Sequence, residues 1–184
     1  MMRRCVVLFL AVVVFTSVSF AGENPMYQNW NQFKPGSFVT FKTTVKTAGV
    51  TTEMEITYSL KQVTPEKLTM ELKTSTTTMG YTVNAPAQTI EIPAEGGPAG
   101  MSIPGVPMNI PQVNVTGTTV SEGSSEKIVI KGKSIDAQKT TVKTAQANVS
   151  IWISSEIPGG MVKALTETAA ATVKMVASDY KAIK

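Results

Sequence analysis

The clearest pattern along the chain is an alternation of apolar and polar residues that begins near residue 37. Between Val50 and Lys61, the even-numbered positions are mostly apolar and the odd-numbered positions are charged or small and polar. A period of two is typical of a strand with one buried face. The preceding run places Val39, Phe41 and Val45 on one face in the same way. Both stretches are therefore predicted to be strands.

A two-residue turn at Ala48-Gly49 would join these strands as a hairpin and pair residues whose numbers add up to 97. Phe41 then faces Ile56 on the apolar side, and Lys42 faces Glu55 on the polar side. One register therefore satisfies both faces, which favours this pairing.

Short strands and turns continue to the end of the chain, where a last strand is predicted at residues 172–177. A turn at residues 64–67 leads into a strand with Leu68, Met70 and Leu72 on one face, and further turns are predicted at residues 122–125, 131–133 and 157–160. Before the strands, Tyr27, Trp30 and Phe33 recur every third residue. They predict a short helical turn whose aromatic face either closes one end of the core or forms a ligand platform. The predicted fold is mainly β: a single curved antiparallel sheet or half-barrel of about nine to ten short strands, with a short N-terminal helical turn.

The N-terminus has the features of a secretory signal. Arg3 and Arg4 precede an apolar run at residues 5–15, and Ser19-Phe20-Ala21 places small residues at the positions that a signal peptidase reads. Residues 1–21 are therefore predicted to be a signal peptide cleaved after Ala21, with residues 22–184 forming a single secreted or periplasmic β-rich domain. An uncleaved anchor and a lipoprotein signal are the alternatives. No transmembrane segment is predicted in the mature chain.

The composition of the mature chain excludes several kinds of chemistry. The sequence has no histidine, and Cys5 and both arginines fall within residues 1–21. A Ser-His-Asp triad, a cysteine nucleophile and a histidine or thiolate metal site are therefore excluded. Glu53 and Glu55 could form an acid/base pair, but a solvated charge ladder is the favoured interpretation. We predict no catalytic residues, no metal and no cofactor, and hence not an enzyme.

Charge also limits the choice of partner. Fifteen lysines against thirteen acids leave the mature chain with a net charge of +2. This excess is small, and the chain lacks the arginines that usually grip phosphate or guanine. Nucleic acid is therefore not an expected partner.

The segment from residue 93 to residue 111 stands apart from the strand pattern. Its five prolines and four glycines exclude a helix or a central strand. It is nevertheless punctuated by five apolar side chains: Met101, Ile103, Val106, Met108 and Ile110. A long loop of this kind is either functional, as a lid or a docking patch, or an insertion without a role. We predict these five residues, together with Trp152, as the ligand-binding residues, although Trp152 alternatively covers a second small core.

Three stretches carry a resemblance to known proteins. They are residues 30–41 (WNQFKPGSFVTF), 128–137 (IVIKGKSIDA) and 151–163 (IWISSEIPGGMVK). In this order they resemble uncharacterised secreted bacterial β-rich proteins and, more distantly, periplasmic lipoprotein-carrier-like half-barrels of the LolA/LolB type. The resemblance implies an incomplete antiparallel barrel around a hydrophobic cavity that holds acyl chains.

The leading hypothesis is an exported envelope protein that binds an apolar or amphipathic, lipid-like ligand without catalysis. The alternative is a structural or interaction module with a filled core that docks on an envelope protein.

Overall fold

The computed structural model describes residues 24–95 and 119–184, and this part of the chain contains one helix and ten strands. The predicted signal peptide and most of the 93–111 segment lie outside the described residues. In chain order, the elements are α1 (Pro25–Asn31), β1 (Phe38–Thr47), β2 (Val50–Val63), β3 (Lys67–Thr78), β4 (Tyr81–Asn84), β5 (Gln88–Pro93), β6 (Thr119–Ile130), β7 (Lys133–Lys143), β8 (Ala147–Ile153), β9 (Met161–Thr168) and β10 (Ala171–Lys181).

All ten strands belong to one antiparallel sheet with the order β4-β3-β2-β1-β10-β9-β8-β7-β6, and β5 also pairs with β3. The first and last strands, β1 and β10, are neighbours at the centre of this order. The backbones of β6 and β10 approach within 8 Å although three strands separate them in the sheet. Four flat interstrand steps would span roughly 19 Å. The sheet is therefore curved, and the predicted mainly β fold is confirmed.

The predicted β1–β2 hairpin is confirmed in its register. Phe41 is paired with Ile56, and Lys42 with Glu55. The turn places Gly49 at a φ of +88°, a conformation that glycine adopts without steric cost. The apolar residues of the two strands and the glycine in the turn therefore determine the register of this hairpin.

Part of the core lies where α1 packs against β3 and β5. Tyr27, Trp30 and Phe33 are buried together with Leu68 and Met70. The aromatic face of the helical turn thus closes the core, as its spacing predicts. Two hydrogen bonds hold the helix against the sheet. The Asn24 backbone N–H donates to the Ala94 carbonyl at 2.9 Å, and the Tyr27 hydroxyl donates to the Thr64 carbonyl at 2.7 Å.

The turn predicted at residues 122–125 is wrong, because β6 runs continuously from Thr119 to Ile130. Glycine and serine at positions 123–125 have the composition of a turn, but β7 continues beside them and keeps the strand paired. The register shifts between Ser121 and Ser124, so one extra residue between them forms a bulge in place of the predicted turn. The strands are also longer than predicted, with fourteen residues in β2 and eleven in β10. Within the described part of the chain, no helix is long and apolar enough to cross a membrane.

Candidate ligand-binding face

The structure describes only one of the six residues that the sequence analysis assigned to ligand binding. Met101, Ile103, Val106, Met108 and Ile110 lie outside the described residues, and their role stays a prediction. Trp152 lies on β8 with 3% of its surface exposed, within the buried cluster.

The indole of Trp152 is fully engaged by its neighbours. Its Nε1 donates to Glu126 Oε2 at 2.6 Å, and Lys163 Nζ lies 3.9 Å from the ring centroid. The Trp152 N–H holds the pKa of Glu126 below its usual range, and Lys139 adds to this effect. Both the ring and its polar atom thus have partners within the protein. The structure places Trp152 in a packed cluster, and its role as a ligand contact stays a prediction.

The strand register divides the side chains into two faces of different chemistry. Residues paired directly across neighbouring strands lie on the same face of a sheet. Two such rows cross eight strands, from β4 to β7, and we call them together the uncharged face. The first row is Val83, Thr76, Met54, Thr43, Met175, Ala164, Ile151 and Thr140. The second row is Tyr81, Thr78, Thr52, Val45, Val173, Thr166, Val149 and Val142.

None of these sixteen residues is charged, and most are half-buried. The opposite face shows that this is not a property of the whole sheet. Six of the sixteen residues in its two intercalated rows are charged: Lys42, Glu53, Glu55, Lys139, Lys163 and Lys174. Within these four rows, charge is therefore confined to one side of the sheet, and the uncharged rows present only methyl, thioether, hydroxyl and one phenol group. Outside the rows, Asp136 and Lys127 lie on the same side as Thr140.

In β1, β2, β3 and β10 the uncharged face continues the core but is less covered, whereas in β7 and β8 the buried Ala137 and Trp152 lie on the opposite face. In β3, the buried Leu68, Met70 and Leu72 are followed on the same face by the half-buried Thr74, Thr76 and Thr78. The filled part lies beside α1, and the threonine-rich part lies beyond it. Seven interstrand steps make this surface roughly 34 Å long across the strands. Its length and its mixed methyl and hydroxyl chemistry suit an elongated ligand better than a compact polar one.

Glu53 and Glu55 lie on the charged face and are exposed. They line a groove of about 380 Å³ whose other lining residues are Lys42, Thr43, Thr44, Met54, Ser75 and Thr77. The groove is mainly polar, and within residues 24–95 and 119–184 no three His, Cys, Asp or Glu side chains come together as metal ligands. The exposure of Glu53 and Glu55 therefore supports their interpretation as part of a solvated charge ladder.

The fold has likenesses among solved structures, whereas no family model and no curated protein matches the chain. MucB, in its complex with MucA(peri), has a TM-score of 0.46 and 10% identity over 87% of this chain. The chain spans about half the length of MucB, at 54%. A protein of YmcC-like fold from Bacteroides fragilis has a TM-score of 0.41 and 11% identity, with 81% of this chain and 97% of that chain covered. The lipoprotein LppX from Mycobacterium tuberculosis has a TM-score of 0.40 and 12% identity, with 85% and 91% covered.

Exported proteins and lipoproteins, the kinds of protein that the sequence resembles, are thus among the solved structures to which this chain is similar. At these identities and TM-scores, this similarity brings no ligand, partner or site residue to this chain.

Proposed function

We propose that this is an exported envelope protein that binds an apolar or amphipathic, lipid-like ligand along the uncharged face, without catalysis. The observation that carries the proposal is the absence of charge from two rows that cross eight strands. A charge facing a hydrocarbon ligand would lose its hydration without compensation. Methyl-bearing side chains instead gain free energy when a ligand removes them from water.

Export is the second part of the proposal and rests on the sequence of residues 1–21. A cationic start, an apolar run and small residues before the cut would deliver the chain to the periplasm or the exterior. A carrier of lipid-like molecules has its source and its destination in that compartment.

A pair of lysine substitutions on one strand tests the proposal. Val173 and Thr172 are adjacent in β10 and both half-buried, but Val173 belongs to the uncharged face and Thr172 to the opposite one. Val173→Lys should weaken binding of the hydrophobic fluorescent probe diphenylhexatriene by about tenfold or more. Thr172→Lys should leave the affinity within about twofold of that of the unmodified protein, and urea unfolding would verify that both variants are folded.

Equal losses in the two variants, or no probe binding by the unmodified protein, would contradict the proposal. Native mass spectrometry of the protein isolated from its host's envelope provides an independent readout. A reproducible added mass that is lost on denaturation would show the ligand directly.

The docking module is the second candidate, and the edge strand β4 favours it. Met79, Tyr81 and Val83 are 77%, 80% and 69% exposed, which is unusual for large apolar side chains. β4 ends the sheet order, so its outer edge is open to strand addition within the described part of the chain. A bare mass in the native experiment, together with a cross-link from Tyr81 to an envelope protein, would favour this function.

A further inference from the structure

Thr43 is an exception among the buried hydroxyl groups of this protein. It lies in β1 on the uncharged face, with 3% of its surface exposed. No residue in 24–95 or 119–184 supplies a hydrogen-bond partner for its Oγ1. Its cross-strand neighbours are Met54 and Met175, whose thioethers are weak acceptors and no donors.

The other buried threonine and serine hydroxyls in the described part of the chain have partners. Thr40, three residues earlier on the same strand, has its Oγ1 2.9 Å from that of Thr57. Ser37 Oγ accepts the Ile183 amide at 3.0 Å, and Ser150 Oγ lies 2.9 Å from Thr141 Oγ1. Since an unpaired buried hydroxyl costs free energy, the one that lies in the middle of a candidate binding face is a functional signal.

We propose that the Thr43 hydroxyl is the polar anchor of the uncharged face, and that the ligand is a neutral acyl ester or amide whose carbonyl accepts its hydrogen bond. This inference rests on the proposed function and names the chemistry of its ligand. A hydroxyl can donate to a carbonyl without any charge on either side. A free carboxylate does not fit, because neither row of the face contains a cation to pair with it.

The neighbours of Thr43 allow such a ligand to reach it. Met54, which is half-buried, and Met175, which is 6% exposed, flank Thr43 on the two neighbouring strands. Methionine side chains are flexible and change rotamer at low cost. A ligand chain that displaces them would find one hydrogen-bonding group in an otherwise apolar surface, which fixes its position along the face.

The test compares two probes on Thr43→Val, which keeps the shape of the side chain and removes its hydroxyl. Diphenylhexatriene has no hydrogen-bonding atom, whereas the methyl ester of cis-parinaric acid has one ester carbonyl on an apolar polyene. The substitution should weaken binding of the ester by about three- to tenfold and leave the affinity for the hydrocarbon unchanged. The urea midpoint should not fall, because the hydroxyl has no partner to lose.

Thr40→Val is the matched control, since it removes a hydroxyl that Thr57 already satisfies. It should lower the urea midpoint and leave the ratio of the two affinities unchanged. An equal effect of Thr43→Val on both probes would overturn the inference. A fall in the urea midpoint of Thr43→Val as large as that of Thr40→Val would also overturn it, because the protein itself would then supply a partner for the Thr43 hydroxyl. Failure of the unmodified protein to bind either probe would instead refute the proposed function.

Discussion

Replacement of Gly159 by alanine should be one of the most destabilising single-methyl changes in the protein. Gly159 lies in the turn between β8 and β9 with a φ of +82°, and a Cβ at this position would lie 2.7 Å from Trp30 Nε1. Trp30 is 2% exposed and held in the core, so it has little freedom to withdraw. The left-handed conformation costs alanine about 1–2 kcal/mol, and overpacking against the indole adds about 1–3 kcal/mol.

Gly49→Ala separates these two contributions. Gly49 has a similar φ of +88°, but a methyl group added to it would meet no atom within 4 Å, so only the conformational cost applies. Urea unfolding followed by circular dichroism should therefore show Gly159→Ala less stable than Gly49→Ala by about 1–3 kcal/mol. Equal destabilisation of the two variants would refute the packing of this turn against Trp30.

Two further predictions concern single polar contacts. Tyr27→Phe removes the hydroxyl that donates to the Thr64 carbonyl and should cost about 1 kcal/mol in urea unfolding, whereas Tyr81→Phe, on an 80% exposed ring, should change nothing. The Trp152 N–H and Lys139 lower the pKa of Glu126 in the folded state. The ionised Glu126 therefore stabilises the fold fully above the ordinary glutamate pKa of about 4.3, and this stabilisation is lost as the pH falls through the lowered pKa. A urea midpoint measured from pH 6 to pH 3 should fall less steeply in Glu126→Gln, and an unchanged slope would contradict the contact.

The parts of the fold that the sequence predicts well depend on residues close in the chain. The β1–β2 register follows from Phe41, Ile56 and a glycine turn that lies between them. The ends of strands are harder to predict, because a bulge interrupts the alternation that defines a strand. In β10 the register against β1 shifts at Thr40/Phe41, so the predicted strand ends near residue 177 although pairing continues to Lys181.

The candidate site illustrates a different limit. Its rows depend on the pairing of β1 with β10, which are separated by most of the chain, and no local pattern indicates that Thr43 faces Met175. The alternation in β9 is also weak, since its uncharged face presents only Ala164 and Thr166. Trp152 and Ile151 lie on opposite faces of β8, and the register shift beside Trp152 is not visible in the alternation of apolar and polar residues.

The threonines explain how a filled core and a binding face can share one side of the sheet. Leucine, isoleucine and aromatic residues occupy the part beside α1, where they need no ligand to exclude water. Beyond it, an apolar surface left open would favour aggregation, whereas threonine offers a methyl group to a ligand and a hydroxyl to water. The filled core and the proposed binding face therefore occupy different lengths of the same strands. A ligand that covers only the threonine-rich half should leave the core beside Trp30 unchanged, so the NMR chemical shift of the Trp30 indole N–H should not change when the probe binds.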